Sequence, residues 1–168
     1  MAKNRKDLYV PRTKLQEGID KCKRNISDFL SEAELLMSEN RLNHAVVMVE
    51  FGIEEFGKIL MLKDAFALDL SDPFKVEGEN FYNHTRKSKR AWAFLNPEFK
   101  QLYDEGICLA GTLFERGIAI ENIEASHTTR CECAFVDFSA NSWLLGWNIK
   151  AELLQNQINH IRESLPKV

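Results

Sequence analysis

Glu50, Glu54, Glu55 and Lys58 are charges set into a segment that is otherwise apolar on almost every face, LNHAVVMVEFGIEEFGKILML over residues 42–62. A helix apolar all round is the buried, central helix of its fold. Carboxylates there are costly unless they are paired, hydrogen-bonded or turned towards a functional cleft. The i, i+4, i+8 spacing puts Glu50, Glu54 and Lys58 on one stripe. Glu55 projects about 100° away, on the side of Met48, Phe51 and Leu62. Two duties suit such a cluster. One carboxylate can orient a catalytic imidazole, as in an acid–base triad. Alternatively the charges form a buried network, with Glu54–Lys58 along the helix and Glu55 joined to Lys87 or Arg130 across it. Charged groups sharing one inward stripe can neutralise one another, which favours the network.

The imidazole for the first duty is His84, in NHTRKSKR, where Arg86, Lys87, Lys89 and Arg90 add positive charge. On a helix His84 and Lys87 are i,i+3 neighbours. A phosphate-facing site would use His84 as general acid or base on an RNA 2′-hydroxyl or leaving oxygen, with Lys87 or Arg130 stabilising the developing charge. Lys58, Arg86, Lys89 and Arg90 would join Lys87 as phosphate ligands. The plainer reading is a solvated basic face. Gly57 stands between the charges of the central helix, where glycine costs on the order of 1 kcal/mol relative to alanine. Close approach of another backbone is the expected return, and Gly52 makes a second such position. Asp137 suits a turn, where aspartate accepts backbone hydrogen bonds. Trp143 and Trp147 are either partner anchors or core at the bundle end.

The elements that must position these groups are helical. Leu15, Ile19, Cys22, Ile26, Phe29, Ala33 and Leu36 form one stripe over residues 13–38. The short break at Ser38-Glu39-Asn40 predicts an antiparallel neighbour running to about Leu68. Residues 69–78, with Pro73 and Gly78, form a connector. A helix is expected over 79–95, another opened by Asn96-Pro97 and running to about Glu124, and a last one from about Asn148, with Leu154, Ile158, Ile161 and Leu165 on one stripe. Residues 125–148 are the least regular, with a short strand or extended segment near 130–140. The pattern predicts an all-α bundle of four to six helices in one domain, 1–168.

Composition is that of a soluble globular chain: 168 residues, 45% hydrophobic, 28% charged, net charge −3. Nucleic-acid binding would therefore need a local basic patch. The charged N-terminus lacks a signal-peptide core, and Glu50 interrupts the best apolar run, so neither export nor a membrane span is expected. Cys22, Cys108, Cys131 and Cys133 are read as reduced thiols of a cytoplasmic protein. Cys131-x-Cys133, with His127 nearby, lacks a second ligand pair at zinc spacing. No phosphate-cradling GxxxxGK[ST] loop is present.

Three phrases, in order, resemble the AbiV family of abortive-infection proteins. They are Glu54-Glu55-Phe56-Gly57-Lys58 on a central helix, His84-Thr85-Arg86-Lys87 after it, and Arg130 followed by the aromatic-Val-Asp step that ends at Asp137. The likeness spans residues 40–140. It implies a bacterial phage-defence protein with a HEPN-like helical bundle, a fold that commonly dimerises and includes many RNA-cutting toxins. Carried over residue by residue, it marks Glu54, Glu55, Gly57, Lys58, His84, Lys87, Arg130 and Asp137. The chain departs from the HEPN ribonuclease signature, an Arg four to six residues before a His: none of His44, His84, His127 or His160 has one. The resemblance implies an effector that arrests growth of infected bacteria by blocking translation through RNA binding or cleavage. The other function is a non-enzymatic helical module that binds a phage or host protein. Expected partners are a second copy in a homodimer, a phage-encoded trigger, and RNA or the ribosome. No cofactor, metal or membrane is expected.

Overall fold

The computed structural model describes residues 8–67, 74–76, 81–95, 137–139, 142–144 and 149–168. Four α-helices are described over their whole length: α1 (Arg12–Ser38), α2 (Leu42–Ala67), α3 (His84–Leu95) and α4 (Ala151–Ser164). Two antiparallel strand pairs accompany them. β1 (Leu8–Val10) pairs with β2 (Phe74–Val76), Leu8 opposite Val76; β3 (Asp137–Ser139) pairs with β4 (Ser142–Leu144), Asp137 opposite Leu144. The fold is the expected all-α bundle. The extended segment anticipated near 130–140 is present at β3, whereas β1 and β2 were not anticipated.

The α1 stripe buries Leu15, Ile19, Ile26, Leu30 and Ala33. It stops where Asn40 takes a left-handed conformation, φ 57°. The Asn40 N–H then donates to the Met37 carbonyl at 2.9 Å and the Arg41 N–H to the Leu36 carbonyl at 2.8 Å. This is a Schellman ending, and asparagine is the side-chain-bearing residue that best tolerates it. The chain reverses there, and α2 runs back along α1. The register is fixed by contacts along the hairpin: Phe29 against Phe51 (centroids 5.5 Å apart), Gly52 beside Leu30, Gly18 beside Leu62, and the Arg12 Nη2 donating to the Phe66 carbonyl at 3.1 Å.

α2 is the central helix that its all-round apolarity predicts, burying Val46, Val49, Ile53, Phe56 and Ile59 completely. α3 opens with Asn83 as its cap: the Asn83 Oδ1 accepts from the Arg86 N–H at 3.1 Å. The helix expected over 79–95 is interrupted at Asn83: Phe81 and Tyr82 are helical, and the chain starts a new helix at His84, whose first turn Asn83 caps. α4 begins at Ala151 and covers the bundle with Leu154, Ile158 and Ile161, each fully buried. At about 1.5–3 kcal/mol per buried aliphatic side chain, those three hold α4 in place. Two polar ties pin it further. Arg162 grips Glu34 of α1 with both amino groups, at 2.5 and 2.7 Å. The His160 Nε2 stands 2.6 Å from the Leu95 carbonyl at the end of α3. The helix anticipated at 97–124 lies outside the described residues. Among those described, no helix is long and apolar enough to cross a membrane.

Candidate functional site

The contact of α2 with α3 is where the polar groups meet. Gly57 of α2 lies against the backbone of Lys87: a Cβ built on it would stand 2.0 Å from the Lys87 carbonyl oxygen and 2.9 Å from its Cα. The expected close backbone approach is therefore present at Gly57. Gly52 differs, because a Cβ there would meet Leu30 Cδ2 at an ordinary 3.7 Å. Tight packing does not explain Gly52.

One turn before Gly57, Glu54 points its carboxylate at the first turn of α3. Its Oε2 lies 2.6 Å from the His84 Nδ1 and 3.1 Å from the Lys87 Nζ. The Glu54 side chain is 9% exposed, that of Lys87 5%, and that of His84 53%. A carboxylate this enclosed needs a countercharge, and the equally enclosed ammonium supplies it. An ionised carboxylate accepts hydrogen bonds and donates none, so Nδ1 carries the proton of the shared bond. In the neutral ring Nε2 then holds the acceptor lone pair. The arrangement is a half-exposed imidazole fixed in tautomer and orientation by a buried acid.

Glu55 faces the other way, towards α1, and takes the hydrogen bond of Lys58 one turn on. The pairing expected from sequence is thus exchanged. Glu54 pairs across the helices with Lys87 rather than along α2 with Lys58, and Glu55 pairs along the helix rather than with Lys87. Lys58 lies angularly between the two acids, and Lys87 has already filled the position at Glu54. The Lys58 ammonium also lies 6.0 Å from the centre of the Phe81 ring. On the α1 side, burial first and Glu55 second push the Cys22 thiol up to about 12. Lys21, Cys22, Arg24 and Asn25 of α1 form, with Glu55 and Lys58, the wall of an open groove of about 480 Å³.

The basic segment of α3 divides. Lys87 is enclosed on Glu54, Arg90 is bonded to Asp64 of α2, Lys89 is half-buried, and Arg86 is exposed. Arg86, Lys89 and Arg90 stand at i, i+3 and i+4, on one face of α3, while Lys87 turns inward to Glu54. Arg130, Trp147, His127, Cys131 and Cys133 lie outside the described residues. Asp137 and Trp143 sit on β3 and β4, in a hairpin that opposes Trp143 to Phe138. Among the described residues no three His, Cys, Asp or Glu side chains gather as a metal site. Sequence reasoning missed Lys21, Arg24 and Asn25, which flank the apolar stripe of α1; the hairpin register alone brings them beside Glu55.

The chain matches the family model HEPN_AbiV, described as AbiV, over residues 14–165. It belongs to the AbiV family. Its biological role is therefore abortive infection, a defence against phage, carried by a HEPN-like all-α bundle. The comparison with curated proteins and the comparison with solved structures each returned no match. Of the residues on which the AbiV resemblance rests, Glu54, Gly57, His84 and Lys87 form one contact cluster, with Glu55 and Lys58 adjoining it on α2.

Proposed function

We propose that this AbiV protein arrests the growth of infected cells by acting on RNA of the translation machinery, with His84 as its acid–base group. One observation carries the reading: a half-exposed imidazole held through Nδ1 by a buried carboxylate whose charge a buried lysine balances. Such an imidazole takes a proton at Nε2. In RNA cleavage it would take the 2′-hydroxyl proton while O2′ bonds to the adjacent phosphorus and the 5′-oxygen leaves, protonated in turn. Stabilising the phosphorane charge falls to a cation other than Lys87, since Lys87 is committed to Glu54; Arg130 is the candidate. The missing HEPN arginine–histidine pair is no obstacle here, because the orienting partner of His84 is an acid on another helix. A homodimer and a phage-encoded trigger complete the proposal.

The enclosure of the Glu54–Lys87 pair favours a second reading, a structural ion pair inside a non-enzymatic module that binds a phage or host protein. His84→Ala separates the two, since it leaves that buried pair intact. The variant should fold with unchanged helicity and lose both growth arrest and the cleavage of RNA or ribosomes by purified protein mixed with infected-cell extract. Full arrest by a folded His84→Ala protein would overturn the enzymatic reading.

A further inference from the structure

A strip of contacts leads from the groove between α1 and α2 to the residues just before His84. Lys21, Arg24 and Lys58 bring three positive charges to the groove, against two carboxylates, Asp28 and Glu55. Lys58 holds Glu55, and Lys21 is bonded to Glu17 at 2.7 Å. Arg24 is exposed and makes no ion pair among the described residues. From Lys58 the strip runs to Phe81, 6.0 Å away, and Phe81 meets Tyr82 edge-on with centroids 5.6 Å apart. Tyr82, 39% exposed, stands two residues before His84. Cations along a groove, then an exposed ring, are the parts that single-stranded nucleic-acid sites use for phosphates and for stacked bases.

We propose that this groove holds the phosphates of a single-stranded RNA segment entering the His84 site. Arg24, Lys21 and Lys58 make the phosphate contacts, and Tyr82 stacks the base beside the reacting sugar. The proposal rests on the RNA reading of His84 but assigns a binding face on α1 which that reading does not use. A duplex would meet the strip poorly, because its bases are stacked inside and give Tyr82 nothing to cover.

The test is fluorescence anisotropy with a labelled, mixed-sequence single-stranded RNA and the full chain carrying His84→Ala, which prevents turnover, over a series of salt concentrations. About three phosphate contacts predict a slope near −2 in log affinity against log salt, and Arg24→Ala should reduce its magnitude by about 0.7. Arg24→Ala should also weaken binding on the order of fivefold, the upper range for one exposed ion pair. Tyr82→Ala should weaken it on the order of tenfold with the slope unchanged, as loss of one stacked base requires. If Arg24→Ala and Lys21→Ala both keep the parent affinity and slope, the groove assignment is wrong while the RNA reading of His84 stands. If the parent protein binds no RNA at any salt, the RNA reading falls and takes the groove with it. If Arg24→Glu abolishes phage protection without touching RNA affinity, the groove serves a protein partner and the inference is overturned.

Discussion

Gly57→Ala is the most direct probe of how the helices set the site. The added Cβ would lie 2.0 Å from the Lys87 carbonyl oxygen, a backbone atom that cannot rotate away. Restoring even the closest tolerated separation requires α3 to retreat by about 1 Å. That shift carries His84 and Lys87 with it. The His84–Glu54 and Lys87–Glu54 distances, 2.6 and 3.1 Å, would then pass beyond hydrogen-bonding range. Overpacking costs about 1–3 kcal/mol. Weakened charge-assisted bonds to a buried carboxylate add about 1.5–3 kcal/mol. Alanine's better helix propensity returns about 1 kcal/mol. A net loss of about 1.5–5 kcal/mol is expected from these terms, read as a lower urea midpoint with an unchanged slope. Gly52→Ala is the internal control: its Cβ meets Leu30 at 3.7 Å, so the propensity gain of up to about 1 kcal/mol should raise stability. A Gly57→Ala protein as stable as the parent, with the His84 imidazole resonances unmoved in NMR spectra, would refute the reasoning.

Glu54→Gln strands the Lys87 ammonium at 5% exposure and should cost about 3–5 kcal/mol. Glu54→Leu with Lys87→Met should recover most of that stability in chemical denaturation, yet leave His84 unoriented and growth arrest lost. Arg162 holds the Glu34 carboxyl below its usual range. A depressed folded-state value makes the pair stabilising above the ordinary carboxylate range, near 4.3, and the contribution disappears as pH falls through and below it. The pair is partly exposed, so it is worth less than about 1 kcal/mol, and Arg162→Ala should flatten the acid limb of a stability–pH curve by that amount. Cys22, with its thiol pushed up to about 12, should resist iodoacetamide at pH 8 in the native protein and react on unfolding; equal labelling of its peptide in both states would contradict the burial described.

Much of this was legible because helical periodicity is a strong signal. The stripe from Leu15 to Ala33 and the unbroken apolarity of α2 give the hairpin and its central member directly. The polar spot was legible in part: charges within an apolar helix, and a histidine followed at i+3 by lysine, both pointed to it. Which acid takes which cation was not, since Lys58 can reach either Glu54 or Glu55 and the choice depends on what α3 brings. Groove residues Lys21 and Arg24 look like any solvated helix face until the Asn40 reversal sets the register of α1 against α2. The paired three-residue strands β1 and β2 are too short to show alternation.

The shortest of the four helices is clasped at both ends by an imidazole: its own His84 fastens it to α2, and His160, reaching over from α4, stands at the Leu95 carbonyl. α4 is also the last of these helices to leave the ribosome. During synthesis the earlier helices can collapse on one another, but α3 receives its second fastening, and the greasy cover of Leu154, Ile158 and Ile161, only once α4 has emerged. The final setting of the Glu54–His84 contact thereby waits on a helix remote from it in sequence.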